Sequence, residues 1–278
     1  MDKIEAQLDP LSYAAVPLRL MVKSEGSEKN LGLGTGFYVR YEGKVYLITN
    51  WHVVTGIGPA NKYLRADRPQ YINHPTLKCK KPYVQWDRLN TQLYFDKEEM
   101  KKPTWLVHPA FGERVDVVAI EIGMSLGDEI LYLNEFDFDE YKPLIADDVY
   151  ILGFPYGNRG GGNFPIWKKG SIATEPDIPL DGLPKMYVDT ASREGMSGAP
   201  VIYRRWCFYG LKEGKLVGES GIGEIQNFVG VYSGRIKDSL DKDNLEAQLG
   251  VVWNVSVIRE IITGGRLDDI ENLSARDA

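Results

Sequence analysis

The sequence predicts an all-β fold, a barrel or sandwich of short antiparallel strands with one late helix. Three observations predict it. Short runs of β-branched and aromatic residues recur along most of the 278-residue chain. Glycine and proline, 29 and 15 in number, break those runs apart before any reaches helical length. Only residues 255–263 repeat their apolar side chains at helical spacing, with Val257, Ile258, Ile261 and Ile262 on one face. At 43% hydrophobic residues, the chain can fill one large β domain or two compact halves.

Taken in order, residues 14–22 form the first strand and Gly32 to Gly36 a flexible approach to the next. Residues 37–41 and 44–49 are strands joined at Glu42-Gly43, the short-loop signal of a hairpin. The second of them delivers His52 at the end of a buried strand. Prolines 59, 69, 75, 82 and 103 punctuate residues 57–104, which read as hairpins and loops. Strand character resumes at 105–109 and at 115–122, where Asp116 opens the most apolar strand of the chain. An acid-rich stretch over 127–148 reads as a solvated connector and divides the chain into halves 1–135 and 136–278. Strands at 149–153, 185–189, 228–233 and 249–253 follow, then the helix, then a polar, frayed tail over 264–278.

Composition excludes several functions. A net charge of −6 argues against the broad basic face of a nucleic-acid binder. No apolar run approaches a membrane span, and the first ten residues lack the apolar core of a secretory signal, so the expected location is cytoplasmic. Two cysteines, Cys79 and Cys207, do not make a disulfide framework. Three histidines with no close Cys/His spacing argue against a metal site. Neither a dinucleotide-binding glycine pattern nor a phosphate loop is present, so no cofactor is expected.

The stretch Arg193-Glu194-Gly195-Met196-Ser197-Gly198-Ala199-Pro200 sets a serine between glycines before a strand. Such a turn lets the Gly195 and Ser197 amides converge on one point, as an oxyanion hole requires. A serine becomes a nucleophile only beside a base, and chain order limits which base it can have. No histidine follows Ser197, and only Asp2 and Asp9 precede His52. The remaining order is His, then Asp, then Ser, and His52, Asp116 and Ser197 fit it as a base, the acid that orients it, and the nucleophile.

Gly34-Thr35-Gly36-Phe37, Leu47-Ile48-Thr49-Asn50-Trp51-His52-Val53-Val54, Asp116-Val117-Val118-Ala119-Ile120 and Gly195-Met196-Ser197-Gly198-Ala199-Pro200 resemble the motif blocks of trypsin-like serine peptidases. Gly153-Phe154-Pro155-Tyr156-Gly157, Gly170-Ser171-Ile172-Ala173 and Asp189 are most similar to the bacterial Deg/high-temperature-requirement branch. The likeness runs over about residues 30–262. It implies two antiparallel six-stranded β-barrels, the chymotrypsin fold, with a short C-terminal helix and the site in the cleft between them. His52 and Asp116 would come from the first barrel and Ser197 from the second. It also implies an oxyanion hole from Gly195 and Ser197, and substrate backbone pairing along Tyr232-Ser233-Gly234.

The chain departs from the family at instructive positions. No C-terminal PDZ domain is expected after Thr263. Met196 replaces the aspartate that pairs with a newly cut N-terminus in digestive relatives, so that activation is not expected. Ala191 replaces the aspartate of trypsin's specificity pocket, and Arg235 would favour an acidic side chain there instead. The implied function is a serine endopeptidase acting on proteins or peptides without metal or cofactor, with an activating partner protein left open. A non-catalytic scaffold domain and an esterase-type acyl hydrolase are the alternatives.

Overall fold

The computed structural model describes residues 8–24, 26–57, 68–79, 84–96, 101–123, 130–212, 215–236 and 248–269. Its strands are β1 (Ala15–Ser24), β2 (Ser27–Tyr41), β3 (Lys44–Thr49), β4 (Tyr71–Cys79), β5 (Gln85–Gln92), β6 (Trp105–Val107) and β7 (Val118–Gly123) in the first half. The second half holds β8 (Asp148–Gly153), β9 (Ile166–Ile172), β10 (Lys185–Asp189), β11 (Pro200–Lys212), β12 (Lys215–Arg235) and β13 (Leu249–Asn254). The helices are α1 (Trp51–Thr55) and α2 (Ser256–Gly264), and a last short strand, β14 (Arg266–Leu267), follows α2.

The second half is the expected six-stranded closed barrel, in the order β10-β13-β12-β11-β8-β9. The first half is an eight-stranded sheet, β14-β6-β7-β3-β2-β1-β4-β5, larger than expected because the β4–β5 hairpin and β14 extend its two ends. Backbone bonds from Thr104 N to Leu93 O (3.0 Å) and from Phe95 N to Lys102 O (2.9 Å), with an antiparallel bridge between Tyr94 and Pro103, join the residues after β5 to those before β6. The architecture is a chymotrypsin-like double barrel.

Alternation along the strands sorts the side chains into three cores. Leu18, Tyr38, Leu47, Ile72, Trp105 and Ile120 pack inside the first sheet, and Val149, Ile151, Val188, Val201, Tyr232 and Val252 inside the barrel. A third core joins the halves, where Phe37 meets Phe228 edge-on at 5.5 Å. Each such buried ring contributes about 1.5–3 kcal/mol through the surface it removes from water, with about 1 kcal/mol more from the pair.

Several expectations change. Gly32 to Gly36 is no flexible approach but the middle of β2. Its glycines allow close packing: a Cβ on Gly34 would stand 2.9 Å from Val53 Cγ1, and one on Gly36 3.0 Å from Ile48 O. His52 lies not at a strand end but in the five-residue helix α1, which stops at Gly56 in the left-handed region (φ 71°). The β2–β3 turn is as expected, with Glu42 and Gly43 both at positive φ (49° and 77°). In the acidic connector, Asp139 Oδ2 accepts from Gln226 N (2.7 Å) and Phe136 and Phe138 pack against the central core, so that stretch is partly structural. The tail does not fray at Gly264, since Arg266 and Leu267 pair with β6. Residues 58–67, 80–83 and 97–100 of the segment read as hairpins and loops, the end of the tail, and the side chains of Cys79 and Cys207 lie outside the described residues.

Candidate active site

His52 and Asp116 reach each other because β3 and β7 are neighbours in register. Asn50, the residue after β3, donates from Nδ2 to the Asp116 carbonyl (2.6 Å), which fixes the backbone of Asp116 beneath α1. The Asp116 carboxylate then receives His52 N–H at Oδ1 (2.9 Å) and His52 Nδ1 at Oδ2 (2.7 Å). The two side chains are 19% and 18% exposed, so the pair is largely buried yet open to solvent on one side. Burial acts to lower the imidazole pKa, yet the charge and hydrogen bond of Asp116 together outweigh it and hold it above its ordinary value. The orientation leaves Nε2 facing away from the carboxylate, as a general base requires.

A third group serves the same carboxylate. Ser233 Oγ donates to Asp116 Oδ2, across the interface between the halves. It can do so because the β12–β13 register shifts between Tyr232 and Gly234, leaving Ser233 as the extra residue of a bulge. A bulge re-aims its side chain out of the strand's alternation.

Ser197 occupies the turn between β10 and β11, and the turn is held at each carbonyl. Gly195 O accepts from Thr35 Oγ1 (2.7 Å), and Ser197 O accepts from Thr35 N (2.8 Å). Glu194 O accepts from Tyr156 N (2.7 Å), and Met196 O from Ala199 N (3.0 Å). In a trans peptide the N–H points opposite the carbonyl. Pinning Glu194 O and Met196 O therefore aims the N–H groups of Gly195 and Ser197 the other way, and among the described residues neither has an acceptor. Glycine is required on both sides of the turn. Gly195 and Gly198 have φ of 91° and 86°, and an added Cβ would stand 2.4 Å from Phe154 O or 2.1 Å from Thr35 O.

The Ser197 hydroxyl lies beside the Ser233-Gly234 segment, where a Cβ on Gly234 would stand 3.7 Å from its Oγ. The structure thus brings Ser197, Ser233, Asp116 and His52 into one cleft. Among the described residues no hydrogen bond joins Ser197 Oγ to His52, a contact that often tightens only around substrate.

The other candidate residues separate into two groups. Ser233 and Gly234 border the serine, and Arg235 follows them, paired with Gly250 in β12–β13. Tyr232 differs from its expected role in substrate pairing: its N–H and carbonyl are taken by Ala199 O and Gly198 N (2.8 Å each), and its side chain is buried. Its hydroxyl meets that of buried Ser192, and its ring covers Gly250, where an added Cβ would stand 2.4 Å away. Ala191, half-buried, precedes Ser192. Met196 is wholly buried among the barrel's apolar side chains, which explains an apolar residue beside the serine.

The remaining histidines are engaged elsewhere. His74 is buried between the hydroxyls of Tyr38 (2.7 Å) and Thr91 (2.8 Å), and desolvation pushes its pKa down to about 4. His108 bonds Glu260 Oε2 through Nε2 (2.8 Å). Among the described residues no group of three or more His, Cys, Asp or Glu is placed to hold a metal ion. The roles of Asn50, Thr35 and the Tyr156 amide are not legible in the sequence, although each lies within a motif block it singles out. Their bonds run to backbone atoms that sequence does not bring together.

Residues 34–211 match the family model described as a trypsin-like peptidase domain. Among solved structures, the chain is similar to Rv3671c from M. tuberculosis H37Rv, crystallised as a serine-to-alanine mutant in its inactive form. Identity is 18%, coverage 92% of this chain and 93% of that one, and the TM-score 0.42. Among curated proteins none matches this chain.

Proposed function

This chain belongs to the trypsin-like peptidase domain family, and from that premise we propose that it is a serine endopeptidase with Ser197, His52 and Asp116 as its catalytic triad. The observation that carries the reading is the Asp116 carboxylate, which receives both the amide and Nδ1 of His52 while Ser233 holds it from the other half. Ser197 Oγ attacks the peptide carbonyl as His52 Nε2 takes its proton. The Gly195 and Ser197 amides stabilise the oxyanion that forms. His52 then passes the proton to the departing amine as the C–N bond breaks, leaving an acyl-enzyme. Water, deprotonated by the same imidazole, hydrolyses the ester and restores Ser197. Asp116 keeps the tautomer and stabilises the imidazolium throughout.

The substrate backbone lies along Ser233, Gly234 and Arg235 as an added strand. Tyr232 occupies the space between Ser192 and Gly250, so the residue before the cut is small. An acidic residue favoured by Arg235 is the competing outcome of the same assay.

A fluorophosphonate probe followed by intact-mass measurement tests the nucleophile. The wild type gains one adduct and Ser197→Ala none; an adduct on Ser197→Ala overturns the assignment. Labelling of neither form favours a non-catalytic binding domain. Turnover of an ester without turnover of the matched peptide amide favours an acyl hydrolase. Replacement of Ser197 or His52 lowers peptide turnover by about six orders of magnitude, as in another serine protease.

A further inference from the structure

Away from the Ser197 cleft, three arginines line a single cleft of about 220 Å³ where the β4–β5 hairpin meets the loop after β8. Arg19 stands on β1 opposite Asn73 of β4, and Arg88 on β5 opposite Pro75. Arg159 comes from the other half, on a loop held to the hairpin by Trp86 Nε1 donating to Gly162 O (3.0 Å) and by an edge contact between Trp86 and Phe164. Asn73 and Asn163 add carboxamides to the walls.

Arginines on a chain of net charge −6 have many carboxylates to choose from. Among the described residues none of these three makes an ion pair. Asp87 also lines the cleft, and its carboxylate lies 3.8 Å from Lys78. Arg159 Nη1 donates only to the neutral Asn163 Oδ1 (3.2 Å). Burial, and then the charges of Arg19 and Arg88, hold the Arg159 guanidinium below its ordinary pKa, so the three groups feel one another's charge. A like-charge cluster that, among the described residues, is ion-paired to no carboxylate is a local repulsion that a bound anion relieves.

We infer that this cleft binds a phosphate group. Planar guanidinium forks match phosphate oxygens in pairs, and a compact anion carrying about two charges neutralises a site of three cations better than a single carboxylate does. The walls belong to both halves, so an occupant draws the Arg159 loop onto β1 and β5. That loop begins with Tyr156, whose amide holds Glu194 O at the serine turn.

Calorimetric titration at constant ionic strength tests the site with three probes: inorganic phosphate, pyrophosphate and a phosphoserine peptide. At least one binds and raises the melting temperature. Tighter binding of the free anions assigns the site to a soluble phosphate; tighter binding of the phosphoserine peptide over its unphosphorylated form assigns it to a modified polypeptide. Arg19→Gln, Arg88→Gln and Arg159→Gln each weaken binding by about ten-fold or more, and the triple variant does not bind. Equal stabilisation by acetate, or wild-type binding by the triple variant, overturns the inference. Without anion the triple variant melts no lower than wild type, because a repulsion has been removed; a lower melting temperature would mean that the arginines already have partners and also overturns it. These readouts need no catalysis, so they stand or fall separately from the peptidase reading.

Discussion

The indole N–H of Trp51 donates to Asp268 Oδ2 at 2.8 Å, which ties the end of the described chain to the residue before His52. Trp105 Nε1 reaches the same oxygen at 2.9 Å. Asp268 is only 8% exposed, so this is a buried side chain whose Oδ2 is held by two indoles. Asp268→Ala strands both donors and is expected to lower stability by about 3 kcal/mol in urea unfolding. It should also lower kcat more than it raises KM, since α1 loses a brace, and Asp268→Asn should recover part of both. A stability loss under about 0.5 kcal/mol would mean that water replaces the carboxylate without cost.

Ser233 holds Asp116 from across the cleft, while His52 holds it from within the first half. Ser233→Ala removes one charge-assisted hydrogen bond and leaves the proposed triad otherwise complete. Turnover is expected to fall about ten-fold, with fluorophosphonate labelling of Ser197 slowed but intact. Unchanged turnover would assign Ser233 to the fold alone.

Two histidines make opposite pH demands. In its proposed role as base His52 must be neutral, and Asp116 holds its pKa up, so kcat/KM should fall on acidification with a midpoint above about 6.5. Stabilisation by the charged His52–Asp116 pair is fully present below the unfolded pKa and disappears as pH rises through the folded one. His74, with its pKa lowered by desolvation to about 4, works in the other sense. Its contribution is complete above about 6.5 and is lost between there and about pH 4, amounting to about 3 kcal/mol. Unfolding free energies measured from pH 7 to pH 4 should therefore fall, and His74→Gln should flatten that slope. A slope unaltered in His74→Gln would place the acid sensitivity elsewhere.

The buried Tyr232 hydroxyl pairs with Ser192, and the ring rests on Gly250. If this ring sets the pocket depth, wild-type cleavage sites from a proteome digest should carry alanine, serine, valine or similar small residues before the cut. Tyr232→Ala should extend acceptance to leucine or phenylalanine. A preference for glutamate or aspartate, abolished by Arg235→Gln, would instead assign selection to Arg235.

Much of the site was legible because it is written locally. The glycines around Ser197 are demanded by positive φ and by backbone atoms within 2.4 Å of where a Cβ would stand, and the order of His52, Asp116 and Ser197 leaves one arrangement of roles. The five-residue helix around His52 is not legible in the sequence, because Val53 and Val54 favour strands; in the fold both are buried, and Val53 packs against Gly34. Tyr232 reads as a substrate-pairing residue because its position in a strand is visible in the sequence, whereas the use of its amide and carbonyl by the serine turn is not.

By itself the sequence determined the all-β class and the hairpin at Glu42-Gly43, and it singled out the residues proposed here as nucleophile, base and orienting acid, since these follow from periodicity, turn stereochemistry and side-chain chemistry. Tertiary structure alone decided that Ser233 bulges onto Asp116, that Thr35 and Tyr156 hold the serine turn, that Asp268 returns to Trp51, and that Arg19, Arg88 and Arg159 share one cleft. Each of these joins residues from 38 to 217 positions apart, as Tyr156–Glu194 at 38, Ser233–Asp116 at 117 and Trp51–Asp268 at 217 illustrate. Contacts at such separations depend on strand register and barrel closure, which are properties of the packed whole rather than of any short stretch of residues.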